Sequence, residues 1–390
     1  MTKPNVDQYI GCLLGCGIGD AVGAVVEHRP RKATVKLVQE VVEPKDWDAL
    51  RDKNARGEAW TFGQYTDDTQ LSRELMISIV DNGGFDPESF SGRIADMFDG
   101  AKPSIVGGGK ATAEAAALLQ QGADWEDAGT PPPRAGNGGA MRAGPIGLLH
   151  WNNADDCLKD AWDQARITHQ AEMSCAGSVA IAMAVAMSLN ASRETGTPGD
   201  PGWWDWLARF VEKAGSLDFA EDIRLLTLKN FKKKEKASEI LQWVMDEDKA
   251  TGGVTNGQWD GISPWARTST LWALYAFMRS PKDFWRTLNT ALLAGGDTDT
   301  IAAMACAMSG AYNGAKAFED HGGIVDLLHD KGSWKADKLT ELAESLHALA
   351  TTEHPDDVVV PLFATGAEEG AADDLPHGIN SAVTNKNEES

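Results

Sequence analysis

Leu292-Leu-Ala-Gly-Gly-Asp-Thr-Asp-Thr-Ile-Ala-Ala-Met-Ala-Cys-Ala-Met-Ser-Gly-Ala-Tyr312 sets two aspartates and a threonine directly ahead of an apolar run of small residues. The run reads as a helix. Gly295 and Gly296 let the backbone bend tightly before it, and Asp297, Asp299 and Thr300 then present hard oxygen atoms at the positive end of a helix dipole. Such a place suits Mg2+ or Mn2+. Asp and Thr are also ordinary helix caps, and this stretch alone does not separate the two readings.

Working outward, Tyr65-Thr-Asp-Asp-Thr-Gln-Leu71 again puts a threonine and two aspartates, Thr66, Asp67 and Asp68, ahead of a helix with Leu71, Leu75 and Ile79 at four-residue spacing. A paired-metal site needs several anionic oxygens around both ions, and neither cluster supplies enough alone. The two must therefore meet in space although they lie far apart in the chain. Almost no period-two alternation appears, whereas helical periods recur from end to end, so the fold class is all-α, one compact helical domain. Helices are expected over residues 69–81, 87–98, 110–121, 156–167, 174–190, 266–279 and 283–294. Residues 28–64 read as a loop-rich approach to the first cluster.

Gly11, Gly15, Gly19 and Gly23 recur every four residues and would share one face of a continuous helix. Glycine is a poor helix former, however, and a break near Gly19-Asp20 that delivers Glu27 to a loop is the favoured reading. Taken alone, Glu27 is an ordinary helix-end acid. Gly107-Gly-Gly-Lys-Ala-Thr112 fails the phosphate-loop pattern at Ser104 and Ala111. Thr130-Pro-Pro-Pro-Arg-Ala-Gly-Asn-Gly-Gly-Ala-Met-Arg142 begins stiff and ends permissive, as expected of a loop whose bare backbone passes a ligand or simply opens a helix. His169 stands at the threshold of an Ala-rich, almost uncharged helix, where it could serve the core as well as a ligand.

Four motifs in order carry a resemblance: Gly11-Cys-Leu-Leu-Gly-Cys-Gly-Ile-Gly-Asp-Ala-Val-Gly-Ala-Val-Val-Glu27, Tyr65-Thr-Asp-Asp-Thr69, Gly136-Asn-Gly-Gly-Ala-Met-Arg142 and Gly295-Gly-Asp-Thr-Asp-Thr-Ile-Ala302. Together they resemble the ADP-ribosylglycohydrolases, which include arginine- and serine-linked ADP-ribosyl hydrolases. The resemblance covers roughly residues 7–350 and implies an orthogonal all-α domain that hydrolyses the bond between ADP-ribose and an amino-acid side chain. It implies two divalent cations, Mg2+ or Mn2+, held by Thr66, Asp67, Asp68, Asp297, Asp299 and Thr300. Glu27 and Asp68 are implied as acid or base, and Asp20 as an acceptor that steadies the metal ligands. Gly136, Asn137, Gly138, Gly139, Met141 and His169 are implied to line or support the ADP-ribose cleft, with Glu172 a weaker addition. The substrate would be an ADP-ribosylated protein or a small ADP-ribosyl compound. An inactive ADP-ribose binder, or a metal-dependent hydrolase of a small ADP-ribosyl or phosphoester metabolite, is the rival reading.

The formal net charge of -22 argues against a stable nucleic-acid partner, which would call for a basic surface. The tail, residues 351–390, is acidic and reads as disordered beyond about residue 365. Five scattered cysteines read as small core residues and fit a reducing cytoplasm. The N-terminus has no signal-like apolar core, and no stretch reads as a membrane span by length. A cytoplasmic monomer is expected. The Lys229–Lys236 cluster reads as a solvated helix face.

Overall fold

A helix carrying glycine at every fourth position has a stripe without side chains. In the computed structural model, which describes residues 3–51, 61–100, 104–192, 195–250, 259–318 and 323–352, that stripe on the helix Val6–Val26 lies against the helix Thr298–Asn313. A Cβ added to Gly11 would stand 2.4 Å from Gly310 O, one on Gly15 2.5 Å from Cys306 O, and one on Gly19 2.3 Å from Ala302 O. One on Gly23 would stand 2.5 Å from the Asp299 Cα. Partner numbers fall as glycine numbers rise, so the helices run antiparallel. The end of the first therefore meets the beginning of the second, where Thr298 Oγ1 donates to Gly23 O at 3.0 Å.

The expected break near Gly19-Asp20 does not occur, since one helix runs from Val6 to Val26. Each interior glycine costs about 1 kcal/mol against alanine, but each also admits backbone-to-backbone contact, and dispersion summed along the pair offsets that cost. Gly19→Ala should therefore destabilise the protein by about 2–3 kcal/mol, because the added methyl group meets the Ala302 carbonyl rather than a movable side chain. Thermal melting checks this, and an unchanged or raised melting temperature would remove close contact as the reason for the glycine.

The helices Asp67–Asn82, Pro87–Met97, Lys110–Gln120, Ala154–Arg166, Glu172–Leu189, Ala266–Arg279 and Phe284–Leu292 match the expected stretches to within about two residues at each end. Among the described residues there is no strand, only isolated bridges. The fold is all-α, as expected.

Residues 31–51 are not loop-rich: Arg31–Leu37 and Trp47–Arg51 are helices, joined through a widened π-type turn at Val38–Val42. Leu37, Val38, Val41, Val42, Trp47 and Leu50 are buried, and the widened turn spoils the regular 3.6-residue spacing that would have revealed them. Residues 52–60 lie outside the described residues. Two helices, Val6–Val26 and Glu172–Leu189, are in fact long and apolar enough to cross a bilayer. Both lie within the fold, with 94% and 89% of their apolar windows buried, so neighbouring helices cover the surface that lipid would otherwise meet. All five cysteines are free and buried. The basic cluster forms a π-type turn, Leu228–Lys233, with Lys229 paired to Glu235 at 3.0 Å. Residues 353–390, nearly all of the expected tail, lie outside the described residues.

Candidate metal centre and ligand cleft

The antiparallel pair sets the site. Val6–Val26 ends at Glu27, which is 7% exposed, and Thr298–Asn313 begins at Asp297. Gly296 holds φ at 75°, and a Cβ there would stand 2.0 Å from Ile262 O, so only glycine lets this turn press against the 261–262 segment. Asp297 N then donates to Ile262 O at 2.9 Å, which aims the first turn. One carboxylate oxygen from each of Glu27, Asp297 and Asp299 lies within 4.8 Å of the others. Thr300, buried in the same turn, donates its N–H to Asp299 Oδ1 at 2.9 Å.

The second cluster opens the helix Asp67–Asn82. Its early N–H groups find their acceptor on another helix: Asp20 accepts from Thr66 N at 2.9 and 3.0 Å and from Thr69 N at 3.1 Å. Both threonine hydroxyls also reach Asp20, at 2.7 and 2.6 Å. Asp20 thus caps the helix that carries Asp67 and Asp68, which ties the two clusters to the first helix. Thr66 Oγ1 also lies 2.9 Å from Asp68 Oδ2, so one hydroxyl faces two carboxylates. Asp67 Oδ2 accepts from Gly109 N at 3.3 Å, and Gly107 packs beside Asp67 and Thr66. The glycine run that fails as a phosphate loop is therefore a wall of this site, a role that a motif comparison could not disclose.

Burial pushes Asp67 up to about 7, with repulsion from Asp299 and Asp20 adding to it. Asp20 is raised to about 6, again chiefly by burial and with Asp299 opposing its charge, although the threonine hydrogen bonds pull the other way. Asp68 and Asp297 are both raised well above the carboxylate range by burial and then by neighbouring aspartates. The aspartates of the two clusters feel one another, so the structure brings them together. None of the ion pairs among the described residues involves Asp67, Asp68 or Asp297. Asp68 Oδ1 is buried without any partner. Hard, buried, mutually repelling oxygens with one orphan among them fit divalent cations.

A pH dependence follows. The folded-state values of Asp20 and Asp67 lie above the unfolded carboxylate value, so the folded chain binds their protons more tightly. That stability is fully present below about pH 4 and is lost as pH rises through about 6 to 7. Without divalent cation the melting temperature should fall by roughly 5–10 °C between about pH 5 and pH 8. Millimolar Mg2+ should restore most of it at the upper end. A chelated protein whose melting temperature stays flat across this range would show that the cluster is not under charge strain.

The Gly136–Met141 stretch lies beside the carboxylates. Asn137 N donates to Pro264 O at 3.1 Å and Ala266 N to Ala135 O at 3.0 Å, so two loops close on each other ahead of the short helix Gly138–Met141. Asn137 is read from resemblance as a cleft-lining residue, and its side chain reaches the acidic cluster. Its Nδ2 donates to Asp297 Oδ2 at 2.6 Å and lies 3.1 Å from Ser269 Oγ. His169 packs under the loop, its ring 2.6 Å from where a Cβ on Gly138 would be and 3.1 Å from one on Gly136. Gly139 packs against Ala165. Met141 faces the core, where with Cys12, Cys16 and Met76 it lines a cavity of about 10 Å3. Glu172 lies in the first turn of its helix, and among the described residues no hydrogen bond or ion pair joins it to the carboxylates. At the rim, His28 Nε2 stands 3.4 Å from Glu27 Oε1 and its ring 5.0 Å from that of Trp259.

The family model described as ADP-ribosylglycohydrolase matches residues 1–356. The chain belongs to the ADP-ribosylglycohydrolase family. ADP-ribosylhydrolase ARH3 of Bos taurus is 29% identical over 331 residues, which cover 80% of this chain and 86% of that protein. The Homo sapiens ADP-ribosylhydrolase ARH3 is 27% identical over 330 residues, with 80% and 86% covered. An uncharacterised protein of Archaeoglobus fulgidus is 30% identical over 346 residues, covering 88% of this chain and 97% of that one. The solved structure of an ADP-ribosylglycohydrolase-related protein complex superposes with a TM-score of 0.61 at 24% identity, covering 89% of this chain and 99% of its own, and it supports the fold. As an ADP-ribosylglycohydrolase, the protein is a hydrolase of ADP-ribosyl linkages.

Proposed function

We propose that this ADP-ribosylglycohydrolase is a divalent-metal-dependent enzyme that cleaves the N- or O-glycosidic bond between ADP-ribose and an arginine or serine side chain, reversing protein ADP-ribosylation. The observation that carries the reading is the meeting of Glu27, Asp297 and Asp299 within 4.8 Å, from opposite ends of the chain, beside the Asp20-capped Asp67-Asp68 turn. Thr66, Asp67 and Asp68 on one side and Asp297, Asp299 and Thr300 on the other would hold two Mg2+ or Mn2+ ions. When bound, such ions supply Lewis acidity toward oxygen.

The chain's own residues do the rest. The missing side chains at Gly136 and Gly138 let the loop close on the His169 ring, and at Gly139 on Ala165; a diphosphate would lie along this loop, with His169 turned to a ribose or diphosphate oxygen. Asn137 keeps Asp297 turned inward. During cleavage, the oxygen of water bonds to C1 of the distal ribose as the bond from C1 to the side-chain nitrogen or oxygen breaks. Glu27 or Asp68 takes the proton that water gives up, and the departing atom receives a proton in return. Carboxylates around C1 also stabilise the oxocarbenium character that builds there.

Defined arginine-linked and serine-linked ADP-ribosyl peptides, incubated with and without chelator, test the proposal. Release of ADP-ribose that stops with chelator supports it, and the faster peptide names the linkage. Release of AMP would move the enzyme to diphosphate hydrolysis, and tight binding without release would make it a reader of ADP-ribose.

A further inference from the structure

His169 is held from behind by a buried polar chain. Arg142, wholly buried at the end of the glycine-rich stretch, donates through Nε to Gln164 Oε1 at 2.8 Å and through Nη2 to Gln164 O and Thr168 Oγ1, each at 2.8 Å. Gln164 Nε2 in turn donates to Gly139 O at 2.7 Å, which ties the same unit to the ligand loop. Thr168 Oγ1 lies 2.8 Å from His169 Nδ1. Both Thr168 and His169 are buried, at 0% and 4% exposure, and His169 Nε2 has no hydrogen-bond partner among the described residues.

A guanidinium only donates, so the contact with Arg142 uses a lone pair of the Thr168 hydroxyl. The hydroxyl proton must then find an acceptor in a dry interior, and His169 Nδ1 is the acceptor within reach. Were Nδ1 protonated instead, Thr168 would accept twice and its own proton would be stranded. We infer that Arg142, through the Thr168 hydroxyl, is a positioning residue that locks His169 as the tautomer with hydrogen on Nε2, so that a neutral imidazole offers one fixed donor to the ligand loop at Gly136 and Gly138. Burial, with Arg142 and Arg134 adding repulsion, pushes His169 down to about 3, which agrees with a ring that stays neutral. The ligand, ADP-ribose, rests on the function proposed above, while the tautomer itself depends on the protein alone.

The test uses the full chain with 15N-labelled histidine, His169→Gln identifying the His169 signals. In the unaltered protein Nδ1 should resonate as an unprotonated nitrogen and Nε2 as a protonated one across pH 5 to 8, about the span of ordinary histidine titration. Thr168→Val removes the hydroxyl and should mix the two tautomers and weaken ADP-ribose binding roughly ten-fold. Thr168→Ser should restore both signals and affinity, which a purely space-filling role would not require. Arg142→Lys keeps a donor without the fork and should fall between them. Hydrogen on Nδ1 in the unaltered protein, or an unchanged tautomer and affinity in Thr168→Val, would overturn the relay. A protein that fails to bind ADP-ribose at all would overturn the proposed function, and the nitrogen signals would still decide the relay.

Discussion

Asp67→Asn and Asp299→Asn should each abolish turnover, by at least about a thousand-fold, while leaving the fold intact. Both side chains are buried at the rim of a cleft, at 8% and 6% exposure, and not within apolar packing. Asparagine keeps the shape, and in Asp299→Asn it keeps an oxygen to accept from Thr300 N. What it removes is a negative charge from a cluster whose members already repel one another. Without divalent cation, then, the variants should melt at the same temperature as the parent or higher, because part of the repulsion is relieved. With cation they should gain less stability than the parent does. Opposite shifts in the two conditions separate a lost ligand from a damaged fold. Retention of two tightly bound ions together with normal turnover in either variant would move the site elsewhere.

Glu27→Gln should divide catalysis from binding. The amide keeps the volume and a hydrogen-bonding oxygen at the end of Val6–Val26, so the close helix pair that places it is untouched. The carboxylate beside Asp297 and Asp299, however, is lost. Proton transfer by a positioned group is worth about 100- to 10,000-fold in rate, so single turnover on a cleavable ADP-ribosyl peptide should slow by at least tens-fold. ADP-ribose affinity should stay within about three-fold, because the proposed diphosphate loop and His169 lie on other elements. Near-normal turnover would transfer the proton role to Asp68.

Helix content, most helix ends, and the four motifs in order were legible from residues alone, because periodicity, caps and turn glycines act within a few residues of themselves. Four carboxylates of the candidate site were legible as helix starts for the same reason: Asp67, Asp68, Asp297 and Asp299 each stand where a helix opens, and a helix start announces itself locally. Contacts between distant segments decided the rest. Local propensity argued for a break at Gly19, but packing against the Ala302 backbone on the far helix keeps the first helix continuous. The hydrogen bond from Asn137 to Asp297 at 2.6 Å, and the approach of Gly107 and Gly109 to Asp67, join segments that no local pattern connects. The ring of His169 could be read as core or ligand from its neighbours in sequence, whereas its single free donor depends on Arg142 reaching the adjacent Thr168 hydroxyl from a segment 26 residues earlier in the chain. A side chain's chemistry is a property of its residue type, but its direction, protonation and partner are set by groups brought near through packing, and those the tertiary structure alone decided.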